Sequence, residues 1–332
     1  MSGHSPAREA GDIREMARAF QDSRILLTAF DLKLFSALSK GPLTSREAAS
    51  MVRADARAVD RLLCALCALG LAEKSGGRYA NAPASARYLT EGAPEYMAEL
   101  GHMSRLYAKW ARLTDAVVTG ASVSAHSFET QDEAQAETFL SAMHAVSKSH
   151  APRLAEAIDL SNARRLLDVG GGSGAYSIAL AKKYPQLSCA VFDVATAVPV
   201  ALKNAARAGL EGRVDAVEGD YMRDGLGEGF DAALFSSIIH INGPRENAWL
   251  MKKAFDALNP GGLVIIRDFI MDPDRTSPKK GAIFALNMLV NTSRGDTYAE
   301  EEVRGWLAEA GFTDIRRVGL GPDTAAILGQ KP

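Results

Sequence analysis

The chain has 332 residues, of which 47% are hydrophobic and 23% are charged, and its formal net charge is −2. This length predicts two domains, and the hydrophobic content is enough for a hydrophobic core. The near-neutral charge argues against a protein that binds nucleic-acid phosphates. Its three cysteines, the polar residues 1–15 and the lack of an 18-residue apolar run predict a cytoplasmic protein with free thiols.

Apolar side chains recur at helical spacing at the start of the chain. Residues 12–40 predict one or two amphipathic helices. Thr44 and Glu47 have the spacing of a capping box, which begins another helix, and a further helix is expected over 56–69. A small hairpin over 71–80 follows, so the order of elements has the outline of a winged helix.

This outline leaves DNA binding open as an alternative function. The helix over 56–69 would be the recognition helix. It is mostly apolar, and its basic residues are Arg57 and Arg61. Recognition of bases in a major groove needs an exposed polar face instead. We therefore expect a packing and dimerisation module, with a DNA-binding regulator as the weaker reading. Cys64 and Cys67 lie in the same apolar run without a second pair, which predicts buried thiols.

Two further helices are expected before the pattern changes. Residues 94–118 carry a stripe of methionines and aromatics, and such a stripe can line a substrate pocket or a subunit interface. Residues 131–149 predict the second helix. His144 and His150 have no carboxylate at metal-type spacing, so we expect surface or helix-end histidines. These helices complete a mainly helical domain over 1–160.

From residue 161 to 332, predicted strands alternate with helices. This alternation predicts a parallel sheet with helices on both faces, with strands over 165–169, 188–193, 213–218, 230–235 and 263–269. Residues 313–328 instead predict a closing hairpin, which adds an antiparallel strand to the sheet. The fold class is therefore α/β, with the helical domain preceding the sheet.

The first of these strands ends in a glycine-rich loop, Leu-Leu-Asp-Val-Gly-Gly-Gly-Ser-Gly over 166–174. Glycines adopt dihedrals that a Cβ forbids and let a ligand approach the backbone, while the helix that follows directs its positive end there. The loop fits the Gly-x-Gly-x-x-Ala form of the dinucleotide pattern. Its Asp-x-Gly-x-Gly-x-Gly form also looks like the S-adenosylmethionine (SAM) loop of Rossmann-like methyltransferases, so NAD and SAM both stay open here.

Acidic residues follow the next two strands. Asp193 ends the second strand, where it can accept both hydroxyls of a ribose, a group that NAD and SAM share. Asp220 follows the third strand and can accept from an adenine amino group, while Tyr221 or Met222 covers the ring. Together with the closing hairpin, these acids favour SAM over NAD, and an NAD oxidoreductase is the less favoured alternative.

With these residues, the chain resembles the small-molecule O-methyltransferases that join a winged-helix-like dimerisation domain to a SAM domain, as in plant caffeate and acetylserotonin enzymes and bacterial polyketide-tailoring enzymes. The resemblance covers residues 25–329 and implies a homodimer with a Rossmann-like SAM domain. It implies that SAM is bound by Asp168, Gly170, Gly172, Gly174, Asp193, Val194, Gly219, Asp220, Tyr221, Met222 and Ser236.

The family places its catalytic histidine after the fourth strand, and His240 matches that position. A side chain at the carboxyl end of this strand lies in the crevice where open α/β sheets bind ligands. An imidazole there can accept the proton of a phenol while the oxygen attacks the sulfonium methyl in line. The resemblance therefore implies that His240 is the general base.

The segment around this histidine departs from the family pattern. The family continues with His-Asp-Trp, whereas this chain has Ile241 and Asn242 after His240, and Ser236 stands where many members carry Lys or Arg. By the resemblance, Asp268 replaces the usual Glu beside the base, and Asp296 is the candidate for the second flanking acid. A base with this weaker support could also serve methylation of carbon or nitrogen, which stays open as an alternative.

Methyl transfer needs mainly positioning, so the acceptor cavity should be roomy and apolar. Its candidate lining residues are Met103, Tyr107, Trp110, Phe139, Met143, Phe284, Asn287, Met288 and Asn291. No Asp and Asn cluster of the kind that holds the metal of catechol-type methyltransferases stands out, so no metal is expected. The sequence thus predicts a SAM-dependent O-methyltransferase that acts on an aromatic or polyketide-like small molecule and releases S-adenosylhomocysteine (SAH), with neither nucleic acid nor a membrane as partner.

Overall fold

The computed structural model describes residues 9–124 and 133–332, and within the helix that begins at Glu133 it describes the side chains of residues 140, 143, 144 and 147 onward. The chain divides into two compact units, Met1–Leu106 and Tyr107–Pro332. The sequence pattern puts the boundary near 160, where strands begin. Residues 107–160 instead group with the sheet, because their helices pack on helices of the second unit.

The first unit is mainly helical and contains a small hairpin. Its elements are α1 (Ala10–Arg18), α2 (Phe20–Asp31), α3 (Leu34–Leu38), α4 (Ser45–Val52), α5 (Ala56–Ala68), β1 (Ala72–Ser75), β2 (Arg78–Asn81), α6 (Pro83–Tyr88) and most of α7 (Leu100–Trp110). The two strands pair antiparallel, as predicted. The capping box is confirmed as well, because Glu47 N donates to Thr44 Oγ1 at 3.3 Å and Thr44 N donates to Glu47 Oε2 at 2.7 Å.

Helix α5 supplies the buried stripe of this unit through Val59, Leu63 and Leu66, whose spacing keeps them on one face. Cys64 and Cys67 lie off this stripe. The expected burial of both thiols is therefore wrong: Cys67 is half-buried and Cys64 is exposed. The part of the chain that the structure describes contains no group of three or more His, Cys, Asp or Glu side chains that could hold a metal ion.

The second unit contains the large sheet. Its helices are α8 (Leu113–Thr119), α9 (Glu133–Ala157), α10 (Ala175–Lys183), α11 (Val198–Arg207), α12 (Pro244–Ala257), α13 (Lys279–Asn291) and α14 (Glu300–Ala310). Its strands are β3 (Arg165–Val169), β4 (Ser188–Asp193), β5 (Val214–Glu218), β6 (Phe230–Ser236), β7 (Leu258–Asp268), β8 (Ile270–Met271), β9 (Tyr298–Ala299), β10 (Thr313–Gly319) and β11 (Ala325–Gln330). The single helix expected over 94–118 is wrong, because a break between α7 and α8 divides it. That break is too short to disturb the apolar spacing.

The large sheet has the strand order β10-β11-β7-β6-β3-β4-β5. Strands β3 to β7 are parallel, and β11 runs antiparallel to both of its neighbours, which confirms the α/β fold with a closing hairpin. Side chains alternate across it: Leu166 and Leu234 pack on the face covered by α9 and α10, while Leu167 and Phe235 pack on the face covered by α12 and α14. The carboxyl ends of β3 to β7 therefore meet at one edge, where the site residues lie.

None of the helices in residues 9–124 and 133–332 is long and apolar enough to cross a membrane.

Candidate active site

Asp168 is the next-to-last residue of β3 and is completely buried. Ser177 Oγ, in α10, donates to Asp168 Oδ2 at 2.7 Å, whereas Asp168 Oδ1 has no hydrogen-bond partner among the described residues. Burial raises the pKa of this carboxyl to about 6, although the Ser177 hydrogen bond opposes the shift. A Cβ at Gly171 would lie 2.6 Å from Asp168 Cγ, so the loop can pass over the carboxylate only as glycine.

Gly174 is required for its backbone conformation. Its φ is +73° and it is the residue before the first turn of α10, so a side chain would strain the loop at the point where the helix begins. An added Cβ would only touch Ala201 and Val191, each at 3.6 Å. The glycine thus sets the path of the loop and the direction of the α10 N-terminus.

Asp193 connects the end of β4 to this loop. Its Oδ2 accepts from Gly172 N at 2.7 Å and its Oδ1 accepts from Val194 N at 2.7 Å. Burial raises the pKa of the Asp193 carboxyl, and the two backbone donors oppose that shift. A carboxylate oxygen accepts more than one hydrogen bond, so Asp193 retains capacity for two ribose hydroxyls.

The residues after β5 form the next side of the crevice. Asp220 Oδ1 accepts from Met222 N at 2.8 Å, which fixes the carboxylate in a tight turn. Gly219 lies against the Phe192 ring, because a Cβ there would lie 2.2 Å from Phe192 Cζ. Tyr221 is half-buried, and burial raises the pKa of its phenol to about 12, so its hydroxyl stays protonated. A Cβ placed on Gly170 would lie 3.6 Å from the Tyr221 ring, which puts this ring beside the loop.

His240 lies in the turn after β6 and is 8% exposed. Its Nδ1 is 2.8 Å from Asp268 Oδ1 and 2.9 Å from Asp268 Oδ2, and Asp268 is the last residue of β7. The edge of the His240 ring meets the Phe284 ring with centroids 4.8 Å apart. The structure therefore places Asp268 in hydrogen-bonding contact with His240, as the resemblance implies for this pair.

Asp296, the candidate for the second flanking acid, accepts hydrogen bonds from Arg275 and from the backbone of Thr297. Its Oδ2 accepts from Arg275 Nη1 at 2.9 Å and its Oδ1 accepts from Thr297 N at 2.8 Å. Arg275 also donates to Glu302, so an exposed ion-pair cluster holds the Asp296 carboxylate. Among the described residues no hydrogen bond joins Asp296 to His240, and a role of Asp296 beside the base stays a prediction.

The unusual Asn242 after the histidine is a buried structural residue. Its carbonyl accepts from Tyr298 Oη at 2.5 Å, and its amide nitrogen lies 3.4 Å from Asn247 Oδ1. Asn247 in turn donates to the carbonyl of Ile239 at 2.9 Å. These bonds fix the turn that carries His240. No sequence pattern points to Asn247 or Tyr298, because they come from the distant elements α12 and β9.

Helix α13 brings several of the expected acceptor-lining residues together. Trp110 Nε1 donates to Asn287 Oδ1 at 3.0 Å, and Asn291 Nδ2 donates to the same oxygen at 3.1 Å. Phe284 lies on this helix against His240, and Met288 is buried one turn further on. Tyr107 and Met143 are half-buried in the same unit. Met103 belongs to the first unit and is exposed, and the side chain of Phe139 lies outside the described residues.

His144 differs from the expectation of a surface histidine. It is half-buried, and its Nδ1 lies 2.9 Å from Ser173 Oγ in the glycine loop. Asn204 Nδ2 donates to the Ser173 carbonyl at 3.0 Å. Burial lowers the pKa of His144, and the charges of Lys148 and Arg207 lower it further, so the neutral ring supports the loop at pH 7. No spacing in the sequence links these three residues.

Two family models match the chain: an O-methyltransferase domain over 110–313 and an O-methyltransferase dimerisation domain over 14–91. A 3-hydroxy-5-methyl-1-naphthoate 3-O-methyltransferase of Streptomyces sahachiroi is 34% identical over 92% of this chain and 90% of its own. The tetracenomycin polyketide synthesis 8-O-methyl transferase TcmO of Streptomyces glaucescens is 34% identical over the whole of both chains. The crystal structure of human N-acetylserotonin methyltransferase in complex with SAM superposes with a TM-score of 0.83 at 28% identity, over 99% of each chain. The chain therefore belongs to the O-methyltransferase family.

Proposed function

We propose that this enzyme transfers a methyl group from SAM to a hydroxyl of an aromatic or polyketide-like small molecule, with His240 as the general base. The observation that carries the proposal is the buried His240–Asp268 pair at the carboxyl edge of the sheet. His240 follows β6, which pairs directly with β3, the strand that leads into the glycine loop, and Asp268 ends the next strand, β7. Family membership and the relatives' names support the chemistry.

The residues at this edge fit SAM. Asp193 presents a carboxylate to the ribose position, Asp220 is fixed after β5 for the adenine amino group, and the Tyr221 ring borders the loop. The buried Asp168 Oδ1, which accepts no hydrogen bond from the residues that the structure describes, is a further sign of a polar ligand at this loop. When bound, SAM supplies a methyl group on a positively charged sulfur, which is already a good leaving group.

Residues of the chain accept the proton that the acceptor hydroxyl loses. With Nδ1 protonated and donating to Asp268, the His240 ring has Nε2 as its acceptor. Nε2 takes the proton of the acceptor hydroxyl as the oxygen attacks the methyl group. The adjacent Asp268 carboxylate stabilises the imidazolium that forms, as the aspartate of a catalytic triad does. Phe284, whose ring contacts His240, excludes water from one side of the base.

The acceptor side of the proposal rests on α13 and α7. Trp110, Asn287 and Phe284 combine aromatic surface with a fixed amide, which suits a flat hydroxylated ring. Two relatives are named for a naphthoate and for a polyketide, and both substrates are aromatic or polyketide-derived. This chain is therefore proposed to take an acceptor of the same class.

The proposal includes a homodimer formed through the N-terminal helices. Ile13, Met16 and Phe20 are each more than half exposed; Met16 and Phe20 lie within the match to the dimerisation domain, and Ile13 immediately precedes it. Their spacing gives a single apolar face on α1 and the start of α2. A second copy of the chain is the proposed occupant, and light scattering of Ile13→Asp should show loss of the dimer. A cytoplasmic location remains an expectation.

The test is product analysis with SAM and two acceptors, 3-hydroxy-5-methyl-1-naphthoate and N-acetylserotonin. We expect a methylated product whose new methyl signal in NMR is that of an O-methyl group, and a C- or N-methyl signal would favour the alternative reaction. His240→Ala should lower kcat about 100- to 10,000-fold and leave the SAH dissociation constant nearly unchanged. Unaltered turnover would reject His240 as the base, and thermal stabilisation by NADH without any by SAH would reject the SAM site.

A further inference from the structure

A buried cation lies at the same edge of the sheet, outside the proton-transfer machinery. Arg267 is in β7 and is 8% exposed. Its Nη1 donates to Ser237 Oγ at 2.8 Å, and its guanidinium carbon lies 5.8 Å from the centre of the Tyr176 ring. In the described part of the chain, no carboxylate forms an ion pair with it. A guanidinium has five N–H donors, so most of its hydrogen-bonding capacity is unused.

Such an arrangement is unfavourable unless something compensates the charge. Buried arginines are normally paired with a carboxylate or phosphate, because moving the charge out of water costs more than one neutral hydrogen bond returns. Ser237 supplies a neutral acceptor, and its left-handed backbone, with φ at +63°, shows that the turn is held under constraint beside the guanidinium. The missing partner is therefore an anion that comes from outside the described chain.

The position of Arg267 indicates which anion. In the sheet register Arg267 is the partner of Ser236, at the carboxyl end of β6, and β6 is the neighbour of β3. Side-chain alternation puts Arg267 on the α10 face of the sheet, the face of Asp168, and puts Asp268 on the other face. Tyr176, which the guanidinium covers, is in the first turn of α10 and follows the glycine loop directly.

We infer that Arg267 binds the α-carboxylate of the methionine moiety of SAM. This inference rests on the proposed function, since it requires SAM at the glycine loop. The methionine moiety carries an ammonium and a carboxylate. On this face of the sheet, the described residues leave one oxygen of Asp168 without a hydrogen-bond partner and the Arg267 guanidinium without a counter-ion. A guanidinium and a carboxylate form paired, charge-assisted hydrogen bonds. The other possible source of a carboxylate is the methyl acceptor. The acceptor would have to extend from His240, whose partner Asp268 is on the opposite face of the sheet, to Arg267.

The test compares two ligands by calorimetry on the full-length protein. SAH has the α-carboxylate, and 5′-deoxy-5′-methylthioadenosine has the same nucleoside and sulfur without the amino-acid end. Wild type should bind SAH more tightly than the thioadenosine. Arg267→Met should weaken SAH binding about 10- to 100-fold and change thioadenosine binding less than about twofold, and Arg267→Lys should be intermediate. Arg165→Met, which removes an arginine from the other end of the sheet, is the matched control and should leave both affinities unchanged.

Each outcome bears on the inference. Arg267→Met removes a charge that has no ion pair, so the ligand-free variant should melt no lower than wild type. A variant that does not fold would show that the cation is compensated within the chain and would overturn the inference. An unchanged SAH-to-thioadenosine ratio would overturn it too, and a raised KM for 3-hydroxy-5-methyl-1-naphthoate alone would assign Arg267 to the acceptor. If wild type bound neither ligand, the proposed function itself would fail.

Discussion

His240 and Asp268 form a buried pair in which Nδ1 of the imidazole lies 2.8 Å and 2.9 Å from the two carboxylate oxygens. The two side chains are 10% and 2% exposed, so water does not compete for the bond. Asp268 accepts hydrogen bonds and holds the proton of the ring on Nδ1, which leaves Nε2 as the atom that can take a proton. The carboxylate therefore selects the tautomer that the proposed reaction requires.

Asp268→Asn should separate this role from simple packing. The amide can donate to Nδ1, which moves the ring proton to Nε2 and removes the acceptor. We expect kcat to fall about 10,000-fold, as in a catalytic triad that loses its aspartate, with the SAH dissociation constant within about twofold of wild type. Steady-state kinetics with 3-hydroxy-5-methyl-1-naphthoate measures the first quantity and calorimetry the second. A kcat within tenfold of wild type would show that Asp268 does not fix the tautomer.

Asp296→Asn is the complementary prediction. Arg275 and the Thr297 backbone donate to the two oxygens of this half-exposed carboxylate. We expect kcat within about threefold of wild type, because an exposed ion pair contributes little and the base keeps its partner. The variant is measured beside Asp268→Asn under the same conditions. A loss of kcat as large as that of Asp268→Asn would show that Asp296 is the second acid beside the base.

The contrast between these two acids shows what the sequence could predict. Strands and the glycine loop follow from local patterns, and the predicted bounds of β3 and β4 match the structure. The resemblance to the family assigned Asp268 as the partner of His240, and the structure confirms this contact at the end of β7. Asp296 lies in a loop whose conformation depends on Arg275, and the role of His144 depends on Ser173, a contact between distant segments. Side-chain pairs of this kind leave no periodic pattern in the chain.

Asp168 should make the protein less stable as the pH rises. Its folded-state pKa of about 6 exceeds the ordinary value of 3.8, so the folded protein holds this proton more tightly than the unfolded chain. The free energy of unfolding therefore falls as pH rises from about 4 to 6 and stays lowered above that window. Asp168→Asn should be more stable than wild type by about 1–3 kcal/mol at pH 7.5 and nearly equal at pH 4. Urea unfolding at both pH values measures this.

Asp231→Asn is the control, because it should change the free energy of unfolding in the opposite direction. Burial raises the pKa of the Asp231 carboxyl, but hydrogen bonds from Arg164 N, Asn259 and Arg165 N outweigh it, so the net shift is downward. Its contribution to stability is present above the ordinary carboxyl pKa and is lost as the pH falls through the lowered value. This variant should therefore be less stable than wild type at pH 7.5. The same sign for both variants would contradict the electrostatic explanation.

Gly174→Ala should couple a small loss of stability to a loss of SAH binding. The left-handed φ of +73° makes an added side chain unfavourable by about 1–2 kcal/mol, and relaxation would move the loop and the α10 N-terminus. Gly209→Ala is the matched control, because Gly209 has a φ of +69° and open space around its Cβ position. Both variants should lose similar stability in urea, and Gly174→Ala alone should weaken SAH binding. Unchanged SAH affinity in Gly174→Ala would contradict the assignment of this loop.

Trp110→Phe tests the acceptor side of the site. The change keeps an aromatic ring but removes the Nε1–H that donates to Asn287 Oδ1 at 3.0 Å, so this oxygen loses one of the two hydrogen bonds that hold it and keeps the one from Asn291. Because this hydrogen bond positions the surface proposed to hold the acceptor, KM for 3-hydroxy-5-methyl-1-naphthoate should rise about three- to tenfold. The SAH dissociation constant should stay the same. Trp249→Phe, at a tryptophan 44% exposed on α12, is the control and should change neither quantity. A rise in the SAH dissociation constant without a change in KM would show that Trp110 supports the cofactor site instead.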